Sequence, residues 1–175
     1  VEMLFIQQFV LFLGHPLYAM TAALSTMLLG SGLGSLTSQR LPAHPGLIAR
    51  RAGQVSLILI LMAAVLSSLL SSAIGLPIMA RVLMSLLLIG LPAYFMGMLF
   101  PLGIRYLNRS MPAQIPWAWG INACLSVIST SLATLIALEM GFRWLLLLSA
   151  LGYMAEFAVF LFHKAFLPPL IKPES

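Results

Sequence analysis

Glu156 is the residue of this sequence with the most chemistry to offer, because the run around it, WLLLLSALGYMAEFAVFLF, carries no other charge. An ionisable group in such a setting costs roughly 3 kcal/mol on insertion scales, so it usually faces a cavity or a partner. At ~100° per residue of helix, Ser149, Tyr153, Glu156 and His163 fall within roughly an 80° arc. Together they make one polar stripe on an otherwise lipid-like helix. Two readings are open. The stripe is either a proton-linked or cation-binding site on a transport path, or a protonated carboxyl hydrogen-bonded to a neighbouring helix as interhelical glue.

Glu2 is a second acid inside an apolar run, followed by Gln7 and Gln8. If that helix ends near Gly14, Glu2 lies ~18 Å inward, again near mid-membrane. Helix contact and ligand binding are both open for it. Asn122, Ser126, Ser129 and Ala133 form a small, partly polar stripe, a face that lets helices approach closely and hydrogen-bond. His15-Pro16 reads as a turn followed by a helix start. Gly30, Gly32 and Gly34 in LLGSGLGS look superficially like a phosphate loop. They follow no strand, however, so the dinucleotide reading fails, and the four-residue spacing of Gly30 and Gly34 suits close helix packing instead. Pro92 interrupts one apolar segment and Pro101 marks its end, with Gly90, Gly97 and Gly103 nearby; a gating hinge and a static kink are both open. No nucleophile–base constellation appears and Asp is absent, so no catalytic residue is assigned. Three scattered His and the single Cys124 make no metal pattern, and no cofactor motif is present.

The elements that must position these residues follow from composition. Of 175 residues, 61% are hydrophobic and only 7% charged, and mean hydropathy is +1.06. Soluble domains run near 45–50% apolar and about 25% charged. A chain this apolar must face a lipid bilayer. Its net charge of +5 does not point to nucleic acid, because the nine Lys and Arg are scattered between apolar runs. Six apolar segments can be read: residues 1–13, 17–36, 55–76, 81–100, 117–138 and 144–166. Each full segment has the roughly 20 residues that a spanning helix needs, and none alternates as a barrel strand would. The first covers only roughly 20 Å against a hydrocarbon core of ~30 Å, so it reads as truncated. The expected fold is all-α, a polytopic transmembrane helix bundle of about six helices over residues 1–166. Longer loops are expected at 37–54 and 101–116, and residues 167–175 read as a cytoplasmic tail. With the 37–54 loop in the cytoplasm, that side receives Arg40, Arg50, Arg51, Arg105, Arg109, Lys164 and Lys172, and the other only Arg81 and Arg143. This positive-inside bias puts the C-terminus in the cytoplasm, and Trp117, Trp119 and Trp144 fall at helix ends, where the aromatic belt lies.

Four stretches, VEMLFIQQFVLFLGHPLYA, LLGSGLGS, MGMLFPLGIR and IPWAWGINACLSV, resemble bacterial spermidine synthase-like integral membrane proteins. The resemblance runs over most of the chain and is most specific at the GHP turn and at PWAWGIN. The matching positions are Glu2, Gln7, Gly14, His15, Pro16, Gly32, Gly34, Pro101, Gly103, Pro116, Trp117, Trp119, Gly120 and Asn122, none of which it gives a chemical role. Members join hydrophobic helices to a cytosolic domain similar to aminopropyltransferases. The resemblance therefore implies an upstream cytosolic domain as partner, where any aminopropyltransferase-like activity would reside, and a multi-pass place in the bacterial inner membrane. Two functions compete: a transport or permeation module for a polyamine-like cation, motivated by the Glu156 stripe, and a non-catalytic anchor or scaffold for the upstream domain. A membrane-embedded enzyme acting on lipids is a third, with only the basic loop near Arg50 to support it.

Overall fold

The computed structural model describes Phe9, Phe12, residues 16–73 and residues 75–166, the side chains of 16, 18 and 163–166 excepted. Five α-helices account for nearly all of it: α1 (Pro16–Ser38), α2 (Pro45–Ser72), α3 (Ile78–Ser110), α4 (Ile115–Glu139) and α5 (Phe142–Phe166). A 3₁₀ turn at Pro112–Gln114 joins α3 to α4, and no strand occurs among the described residues. All five helices are long and apolar enough to cross a bilayer. The all-α polytopic bundle is thus as expected. The expected first segment, residues 1–13, lies outside the described residues except for Phe9 and Phe12, which are helical and buried.

Two helices are longer than the hydropathy suggests. α2 begins at Pro45 rather than near Val55, which shrinks the expected 37–54 loop to 39–44. Breaker residues mislead here because they sit where a helix start tolerates them. Pro45 occupies the first turn, and His44 caps it, its Nδ1 accepting from the Leu47 N–H at 3.1 Å. α3 runs through both Pro92 and Pro101 to Ser110, so Pro101 does not end it. A proline inside a membrane helix removes one backbone donor, a loss that packing neighbours absorb. Here both sites are against other helices: Pro92 is buried and Pro101 half-buried.

The helices pair out of chain order. α1 packs along α3 and α2 along α5, with α2 and α3 in contact between the pairs. Lipid tails are as apolar as leucine, so helix association in a bilayer rests on close packing and hydrogen bonds rather than on hydrophobic transfer. The α1–α3 contact shows the packing device. A Cβ at Gly34 would collide with the Tyr94 carbonyl, and one at Gly97 with the Ser31 backbone. Gly30 faces Ala93 and Gly90 closely, where a Cβ would stand 3.0 and 3.1 Å away, and the close approach of the two backbones is as the Gly30/Gly34 spacing predicts. Gly32 has open space around it. The α2–α5 contact shows the hydrogen-bond device, where the buried Ser56 hydroxyl donates to the Ala150 carbonyl at 2.9 Å. Ile48, Val55, Leu59, Ile89, Met98 and Leu102 fill the interior.

The outer surface is apolar. Leu87 is 76% and Val127 72% exposed, as lipid-facing side chains are. α4 is the outlier, with Ala137 its one buried residue. Its Ser126, Thr130 and Thr134 hydroxyls are satisfied by carbonyls one turn back on the same helix. Trp117 and Trp119 start α4 and Trp144 starts α5, so exposed indoles mark both ends of the bundle.

Candidate functional site

Tyr153 and Glu156 are one turn apart on α5, so their side chains emerge side by side. Both line an open cavity of about 650 Å³ between parts of α1, α3, α4 and α5. Asn122 of α4 lines the same space, as do Ser31 of α1 and Tyr106 of α3. The structure therefore brings together three of the residues singled out in the sequence, Tyr153, Glu156 and Asn122. Ser149 is not among the lining residues; its hydroxyl donates to the Leu145 carbonyl at 2.9 Å. The His163 side chain and Glu2 lie outside the described residues, as do Gln7 and His15.

The walls of the cavity explain what it can hold. Phe100, Leu99, Ile104, Leu107 and Phe160 supply apolar surface. The ring of Tyr106 meets Phe160 edge-on at 6.3 Å, and Phe100 meets Trp119 at 4.8 Å, which fixes two of the aromatic faces. Gly103 of α3 also lines it, with open space where a Cβ would stand, whereas Gly97 lines it at the tight contact with α1. Among the described residues no lysine or arginine lines it, and Glu156 is the one acid on the lining. One acid, the amide of Asn122, two phenols and aromatic faces make a set that favours a cation with an apolar body.

The bundle's arginines are used elsewhere. Arg105 reaches back from α3 to the end of α1, donating to the carbonyls of Ser38 at 2.6 Å and Leu41 at 3.0 Å. Ser38 offers the last carbonyl of α1, which a cation suits, and Leu41 a carbonyl of the loop that follows. Arg51 stacks over Phe95 at 5.5 Å and donates to Gln54 Oε1 at 2.9 Å. Arg81, near the other end, lies over Phe12 at 5.2 Å and donates to the Phe12 carbonyl.

Sequence reasoning missed Tyr106 and Ser31. Tyr106 was placed in a loop because Pro101 was read as the helix end. Ser31 sits in the glycine-rich stretch read for packing alone. Among the described residues no group of three His, Cys, Asp or Glu is placed to hold a metal ion. Cys124 is exposed on α4, although its apolar neighbours Ala123 and Leu125 suggest buried packing. No family model, curated protein or solved structure matches the chain.

Proposed function

We propose that this chain is a membrane transport or permeation module that receives an organic cation of the polyamine class at Glu156. The observation that carries this reading is the shared cavity: Tyr153 and Glu156 of α5 stand with Asn122 of α4 and Tyr106 of α3 around one space whose lining, among the described residues, has an acid and no base. A polyamine alternates ammonium groups with short methylene runs. The carboxylate and the Asn122 carbonyl oxygen suit an ammonium, and Phe100, Ile104 and Phe160 suit the methylenes. The resemblance to spermidine synthase-like membrane proteins adds to this choice of substrate. Under the same reading the Arg40–Arg50–Arg51 end faces the cytoplasm of a bacterial cell, together with the C-terminus of α5.

The test is uptake of radiolabelled spermidine into proteoliposomes holding the purified protein. Replacing Glu156 by Gln removes the charge and keeps the volume. Transport is expected to fall about tenfold or more, since hydrogen bonds to a charged group are worth about 1.5–3 kcal/mol. A Glu156→Gln protein that stays helical and transports at the wild-type rate would leave the bundle as an anchor or scaffold.

A further inference from the structure

A second cavity, of about 350 Å³, runs between α2 and α5 at the arginine-rich end and has a different character. Arg50 and Gln54 line it toward the start of α2, with Leu161 of the antiparallel α5 at about the level of Arg50, while Phe157, beside Gly53, and Leu57 line it further in. Gly53 makes the room: a Cβ there would stand 3.3 Å from the Phe157 ring. Arg50 lies five residues into α2, about 8 Å along the helix, the depth at which an arginine meets the headgroup layer. Leu57 lies about 10 Å deeper by the same rise. The slot therefore passes from a cation at the interface to hydrocarbon within.

The polar end is built for an anion. Gln54 already spends its Oε1 as acceptor for Arg51, so the amide group it still offers is the NH₂ donor. Arg50 is exposed and adds guanidinium donors. Arg40 and Arg109 add further positive charge at this end of the bundle, and the only acids among the described residues are Glu139, at the opposite end, and Glu156, which lines the other cavity.

We propose that this slot holds one acyl chain of an anionic phospholipid, its phosphate seated on Arg50 and Gln54. The lipid tethers α2 to α5 at the charged end of the bundle. A zwitterionic lipid fits the slot but leaves its own cation next to Arg50, so the headgroup charge is the discriminating feature.

The test is native mass spectrometry of the whole protein in neutral detergent, offered an equimolar mixture of phosphatidylglycerol and phosphatidylcholine with identical chains. Wild type is expected to retain phosphatidylglycerol in preference. Arg50→Gln is expected to cut that preference roughly fivefold, the worth of one arginine at an anionic surface, while Arg143→Gln at the opposite end leaves it unchanged. Leu161→Trp, which fills the slot from an exposed position, is expected to reduce retention of both lipids. Equal retention of the two lipids by wild type overturns the proposal, as does equal loss in Arg50→Gln and Arg143→Gln. Undiminished retention in Leu161→Trp overturns the seating of the chain, and capture of free glycerol phosphate as readily as the lipid overturns the lipid as occupant.

Discussion

Single atoms decide much of this bundle, and the clearest case is the pair Gly32 and Gly34. A methyl group at Gly34 has nowhere to go because the Tyr94 carbonyl occupies the space, whereas one at Gly32 meets nothing. Gly34→Ala is therefore expected to destabilise by about 2 kcal/mol, the overpacking cost of a rigid contact, and Gly32→Ala to change stability by no more than about 0.5 kcal/mol; unfolding in mixed detergent micelles measures both. Arg105 offers a second case. Arg105→Gln removes both charged hydrogen bonds, to the last carbonyl of α1 and to the loop after it, and is expected to cost about 2 kcal/mol in the same assay. The candidate site was partly legible at this scale. Tyr153 and Glu156 share a helix face by periodicity alone, and an acid in an apolar run announces itself. Tyr106 and Ser31 gave no such signal, because which helix lies beside which is not written in any one helix's period.

Among elements, α3 shows what hydropathy can and cannot delimit. The apolar run ends near Phe100, but the helix continues with Arg105 and Tyr106 half-buried against its neighbours, and it is 33 residues long. At ~1.5 Å per residue it exceeds the ~30 Å hydrocarbon core, so it tilts or projects beyond it. Pro101 reads as a stop only if the helix is taken in isolation; packed against other helices the missing donor is tolerated. The five spans were legible because length and apolarity set them, and the ends were not, because caps and tertiary contacts set those. At the α2–α5 contact, Ser56→Ala is expected to cost about 0.6 kcal/mol, the usual worth of an interhelical hydrogen bond in a membrane protein, and micellar unfolding reads it directly.

Over the whole molecule, the arginines separate the two ends: Arg40, Arg50, Arg51, Arg105 and Arg109 at one, Arg81 and Arg143 at the other. In a Cys124→Ala background, cysteines at Gln39 and Ser110 are expected to react from the same side of the membrane, and cysteines at Leu76 and Met140 from the opposite side. In intact cells an impermeant thiol reagent is expected to reach only the second pair. The pairing of α1 with α3 and of α2 with α5 has a consequence for biogenesis. Helices leave the ribosome in order, yet neither α1 nor α2 has its main partner as its neighbour in the chain. α1 must wait in the bilayer until α3 has been made, with its glycine face open to lipid. α2 must wait longer still, until α5 brings the carbonyl of Ala150 to the Ser56 hydroxyl. Assembly of these five helices is therefore held back until α5 is made, and a chain interrupted after α4 leaves α2 without its partner, marked by that unfinished face for removal by quality control.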